Sequence, residues 1–297
     1  MPSAGLRWMI VGHPQKISEN ADLSAALTQL LPKERLDAFA ASSGIDLRRL
    51  PNALIAGFDL GTLYLAETSH NSAELAREHF VERLGGRELV ERPHPDIVRV
   101  SGTLDGKPHS FFDLDGKVVG LAAGDLTLSR IAVGYALGKL KKTPTALRGA
   151  ALSSLPRPAR EPLLTFYAPG PFEDEWARAL HGVLAAALAI AIQLDDVQDG
   201  YLQLTLFVAG DWADGGQRAL EQLQAAFLEL SASSTGKLFA FERARAITGS
   251  FHPQYLTLSV QLPLDPLMRG LRAAVVADVW EILDLPVPSA GDAGALP

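Results

Sequence analysis

The seven histidines are the first residues to test for chemistry, because imidazole is both the commonest metal ligand and a base near neutral pH. His13, His94, His109 and His252 each adjoin a proline, and a shared metal site is the sharpest role for them. No HExxH or HxH pair occurs, and no two histidines have ligand spacing on one helix. Histidines beside prolines then read as bends at strand ends. His79 lies beside an apolar helical stripe and His181 precedes an apolar run, so both read as helix residues.

The acidic run Asp195-Asp196-Val197-Gln198-Asp199-Gly200 is outwardly like a calcium loop. Counted from Asp195, position three is Val197 and position twelve is Leu206, where a calcium loop needs oxygen ligands. The segment reads as a polar turn between a helix and a strand. Phe111-Phe112-Asp113-Leu114-Asp115-Gly116 fails the same test. Ser231 through Lys237 ends like a phosphate-binding loop but lacks its leading glycine, and Leu238 stands where the magnesium-binding hydroxyl belongs. Ser234 and Lys237 have the SxxK spacing of penicillin-binding enzymes without the SDN and KTG partners. No GxSxG or GxGxxG occurs. The sequence therefore assigns no catalytic, cofactor-binding or metal-binding residue, and the protein reads as non-catalytic.

Composition narrows the classes further. A formal charge of −7 argues against a phosphate-tracking surface, so no nucleic-acid partner is expected. Lys139, Lys141, Lys142 and Arg148 form one basic cluster, read as cations closing a helix C-terminus. With no cysteine, disulfides, thiolate nucleophiles and cysteine-ligated metals are excluded. The longest apolar run, 182–192, would make about 16 Å of helix, short of the ~30 Å hydrocarbon core. It reads as a helix buried on nearly all sides, and no membrane span is expected. Gly134 and Gly138 read as a close helix contact. The N-terminus carries no signal peptide, which leaves either a cytoplasmic location or a leader removed upstream.

The elements that hold these residues follow from periodicity. A β-like run at Trp8-Met9-Ile10-Val11 leads to helical stripes at Leu23, Ala26, Leu27, Leu30 and then Leu36, Phe39, Ala40, stopping at Gly44. The segment 53–66, broken by Asp59-Leu60-Gly61, reads as a hairpin. Asn71 and Glu74 suggest a capping box for a helix bearing Ala73, Ala76 and Phe80. Asp105-Gly106 and Asp115-Gly116 predict two type I′ turns and a three-stranded meander, followed by a helix capped at Asp125. After Pro156, Pro158 and Pro162 come a strand over 164–168, a long helix over 173–194, a strand over 201–209 and a helix through Leu220, Leu223 and Phe227. The segment 238–247 suits helix or strand equally. Strict alternation over 255–262 predicts a strand with one wet face, and Asp265-Pro266 opens a last helix.

Both halves read strand, helix, strand, helix, strand, helix. The fold class expected is α+β: two similar halves, each a mainly antiparallel sheet with helices on one face, by internal duplication. Expected boundaries are 1–155, 156–285 and an unstructured tail over 286–297.

The runs Arg7-Trp8-Met9-Ile10-Val11, Leu31-Pro32-Lys33-Glu34-Arg35-Leu36-Asp37-Ala38-Phe39 and Gly44-Ile45-Asp46-Leu47-Arg48 resemble the opening of bacterial cell-envelope lipoproteins of uncharacterised function. Tyr167-Ala168-Pro169 and Trp280-Glu281-Ile282-Leu283 are similar to their later segments. The resemblance implies an envelope location and a lipid-modified cysteine on a removed leader; it implies no activity. The expected role is a non-catalytic envelope protein that binds a partner protein or acts structurally. A carrier of an apolar small molecule or lipid, and a hydrolase with dispersed residues, are the alternatives.

Overall fold

The computed structural model describes residues 5–140, 145–149, 151–158 and 160–282, with backbone alone for 196–198 and 274–282. The chain begins with β1 (Leu6–Gly12), α1 (Pro14–Glu19), α2 (Ala21–Leu30) and α3 (Lys33–Ser43). Asn20 caps α2 by accepting from the Leu23 amide, and α3 stops at Gly44, whose φ of 73° suits glycine. The expected hairpin is β2 (Ala53–Phe58) and β3 (Gly61–Glu67), followed by α4 (His70–Glu82). Ser69, not Asn71, caps α4, through the Ser72 amide, so the capping-box expectation is corrected.

An unforeseen strand, β4 (Gly85–His94), precedes the meander β5 (Ile97–Leu104), β6 (Lys107–Leu114) and β7 (Val118–Ala123). Both Asp-Gly pairs turn with positive φ, 50° and 76°, then 60° and 64°; the first is the expected two-residue turn, whereas Leu114 pairs with Val118 and the second connection is a three-residue loop, 115–117. Asp125 caps α5 (Leu126–Ala136) through the Thr127 amide. This helix ends before Lys139, and Arg148 lies in a separate 3-10 turn, so the basic cluster does not close a helix; Lys141 and Lys142 lie outside the described residues.

The second half holds β8 (Leu164–Pro169), α6 (Asp174–Arg178), β9 (Ala187–Gln198), β10 (Tyr201–Gly210), α7 (Gly216–Ala232), α8 (Ser234–Leu238), β11 (Arg245–His252), β12 (Tyr255–Pro263) and α9 (Leu264–Ile282). The long helix expected over 173–194 is not present. Leu180, His181 and Gly182 are left-handed, at φ 53°, 57° and 85°, and the chain then turns into β9. A strand buried on both faces reads as an unbroken apolar run, which periodicity cannot separate from a buried helix. The tail over 286–297 lies outside the described residues.

The twelve strands of the described residues form one antiparallel sheet, ordered β11-β12-β10-β9-β8-β1-β2-β3-β7-β6-β5-β4. Two separate sheets were expected. Instead β1 pairs with β8 in the middle, Met9 opposite Tyr167, so one continuous sheet runs across the 155/156 boundary. Cross-strand partners share a face, which lets the helices be assigned to sides. The row Leu258–Leu206–Ile192–Phe166–Ile10–Ile55–Tyr64–Leu121–Phe111–Val100 lies on one side. That side carries α2, α7 and α9 over one half and α4 over the other. Met9, Ala56, Leu63 and Ala122 face the opposite side, where α5 and the 3-10 turns of 146–154 pack. Helices on one face only is therefore corrected to helices on both.

Candidate functional site

A polar concavity lies where β1 gives way to α1. Pro14 at the first helical position forces the chain off β1, and the His13 amide bonds back to the Leu163 carbonyl at 2.9 Å. This leaves His13 buried, at 5% exposure, in the wall of a cleft of about 320 Å³. Asn52, Pro158, Arg160, Glu161, Thr165 and Tyr167 complete its wall.

The His13 ring is held on both sides. Nδ1 lies 3.2 Å from the Pro51 carbonyl, which can only accept, so Nδ1 carries a proton. Nε2 faces Glu161 Oε1 at 3.5 Å. Lys16 binds the other oxygen of Glu161, and with the charge of His13 holds that carboxyl below its ordinary range. Tyr167 is pushed up by burial, partly offset by its hydrogen bond with Thr165. A hydrolytic base needs one ring nitrogen aimed at a nucleophile. Here both nitrogens address acceptors, and among the described residues no hydroxyl is hydrogen-bonded to the ring. The arrangement is a clasp that ties the 156–162 connection to α1 and to the start of β2.

A second cleft, about 340 Å³, opens at the other end of β1 between Gly5, Leu6, Ala146, Leu152 and Gly170, with the Arg7–Asp59 ion pair in its wall. Behind the first cleft, Thr165, Gln193, Thr205 and Ser259 form one transverse row on four strands. Thr205 and Ser259 hydroxyls bond at 2.9 Å. Gln193 is 5% exposed and makes no side-chain hydrogen bond among the described residues.

The remaining six histidines do not converge, and His70 lies beside Gly116 and Asp115. His79 sits against Glu82, His94 against Asp96, His181 against Glu229, and His252 stacks on Tyr255. His109 bonds the Lys107 carbonyl. Among the described residues no three His, Asp or Glu side chains group to hold a metal. Ser233 caps α8 through the Gly236 amide, which accounts for the Ser-Thr-Gly-Lys segment as a helix start. Asp199-Gly200 is a third Asp-Gly hairpin turn, joining two strands where a helix–strand turn was expected.

The sheet margins are the feature that sequence reading missed. Every residue of β11 is exposed, and in β4 all but Glu91 are. Their outer backbone groups have no neighbouring strand among the described residues. Exposure of residue after residue removes the alternation that would have announced these strands. Leu89, Val90, Ile247 and Phe251 stand out on them, at 53%, 49%, 38% and 45% exposure.

No protein-family model, curated protein or solved structure matches this chain. No helix of the described residues is long and apolar enough to cross a membrane.

Proposed function

We propose that this is a non-catalytic binding or structural protein that engages a partner polypeptide along an outer margin of its sheet. The observation that carries the reading is the pair of outer strands exposed along their length, at the ends of a sheet whose faces are covered by helices. Unpaired strand edges recruit extended chains through main-chain hydrogen bonds, with alternate side chains supplying selectivity. The two clefts support this reading less than the margins do. Charged groups line both, which suits an apolar cargo poorly, and the His13 clasp occupies both ring nitrogens.

The strand order also supports descent from a duplicated unit. Outward from the centre, β1 leads to the β2–β3 hairpin and then β7, while β8 leads to the β9–β10 hairpin and then β12. In each half a helix follows the hairpin, and the last strand of the half returns to pair with it. The envelope location and lipid anchor rest on the sequence resemblance alone.

The test is a peptide-display selection against the folded protein. Selected peptides should lose binding when Phe251→Lys or Val90→Lys alters a margin, and keep it in Tyr167→Phe and Arg160→Ala. Binding that depends on the cleft residues and ignores both margins would overturn the reading.

A further inference from the structure

The two margins are not equivalent, and the difference points to a partner. β4 carries Arg87, Glu88, Glu91, Arg92 and Pro93, and its pairing slips between Gly85 and Leu89 and again between Glu91 and His94. Charges, proline and bulges are the devices that keep an edge from pairing. β11 has one bulge, at its start between Arg245 and Thr248, and then pairs without interruption from Thr248 to His252. Its residues 246–251, Ala-Ile-Thr-Gly-Ser-Phe, include no charge and no proline.

The β11–β12 connection is the two-residue Pro253-Gln254, so His252 and Tyr255 form the hydrogen-bonded closing pair. By alternation Ser250 and Thr248 also address β12, while Phe251 and Gly249 turn their amides and carbonyls outward. An antiparallel copy of the same strand, centred on Gly249, meets these groups in phase. Gly249 then faces Gly249, Thr248 faces Ser250, and Ile247 faces Phe251. Hydroxyl meets hydroxyl, apolar meets apolar, and no like charges oppose.

The geometry points to a second copy of this chain as the occupant of the β11 margin, joined in a two-fold, antiparallel strand pair. This deepens the margin-docking reading and rests on it. A ladder of about five residues buries little area, so the pair is transient, with a dissociation constant on the order of 10–100 µM.

Sedimentation equilibrium of the full chain between about 1 and 500 µM tests this, with far-UV circular dichroism confirming the fold of each variant. The wild-type mass should rise from 31.8 kDa toward about twice that value. Thr248→Lys with Ser250→Lys sets like charges opposite each other twice and should abolish the rise. Thr248→Lys with Ser250→Glu sets opposite charges there and should restore it, with association equal to or tighter than wild type. A wild type that stays monomeric throughout, association indifferent to both double variants, or equal loss in both, would each overturn the inference. If the wild type is monomeric but selected peptides still bind at a margin, only self-pairing falls. If neither occurs, margin docking falls with it.

Discussion

Phe111 and Phe112 are neighbours on β6, yet they belong to different cores. Phe111 stacks on Phe80 of α4, with ring centroids 5.6 Å apart. Phe112, wholly buried, points through the sheet to the side where α5 packs. This opposition makes β6 an interior strand of a sheet with helices on both faces, and it leaves the margins as the places where backbone groups stay open.

The Phe112 side should be sensitive to volume. A Cβ placed on Gly120 would come within 2.1 Å of Phe112 Cζ, so Gly120→Ala should destabilise by about 1–3 kcal/mol in urea unfolding. Phe112→Leu should cost less in the Gly120→Ala background than in the wild type, because the two residues share one space. Additive effects would contradict the packing described.

Gln193 should be replaceable at a gain. Its buried amide has no side-chain partner among the described residues, and an unsatisfied buried amide costs about 1–3 kcal/mol. Gln193→Met keeps the length and removes the polar group, so the urea midpoint should rise. A fall would show that the amide is satisfied in solution.

Acid should loosen the clasp and the loop after α3. Lys16, and after it His13, hold Glu161 below its ordinary range; Lys33 and Arg48 do the same to Asp37, and Arg48 to Asp46. A carboxyl lowered in the folded state contributes stability above its unfolded value, near 4, and that stability is lost as pH falls through the lowered folded value. Unfolding midpoints measured from pH 6 to pH 2 should therefore fall on the acid side. Glu161→Gln and Asp37→Asn should each flatten that slope, and an unchanged slope in both would contradict the assignment.

How much of this was legible follows the local signals. Turn chemistry was explicit: Asp105-Gly106 and Asp115-Gly116 fixed the meander, and Gly44 and Asp125 marked helix ends. Strands with one buried face, such as β12 with Leu256, Leu258, Val260 and Leu262 inward, announced themselves by alternation. Elements at the two extremes of burial did not. β9 is apolar along much of its length because it lies inside the sheet, and it imitates a helix. The residues of β4 and β11 stay largely exposed, although α7 lies against Gly249 and Phe251, and neither strand shows a period. The β1–β8 pairing that joins the halves is a contact between residues far apart in sequence, and no local pattern encodes it. The His13 clasp was hidden for the same reason, since Glu161 and Pro51 reach it from distant segments.

The central claim is that the sheet margin, and not the His13 cleft, is the working surface. Residue-resolved amide exchange by NMR, with and without a display-selected peptide, tests it most directly. In protein too dilute to self-pair, the Gly249 and Phe251 amides, turned away from β12, should exchange fast, and they should slow by tenfold or more when the peptide binds. Thr248 and Ser250, already bonded within the sheet, should change little. Slowing confined to amides around His13, Thr165 and Tyr167, with Gly249 and Phe251 unchanged, would contradict the account.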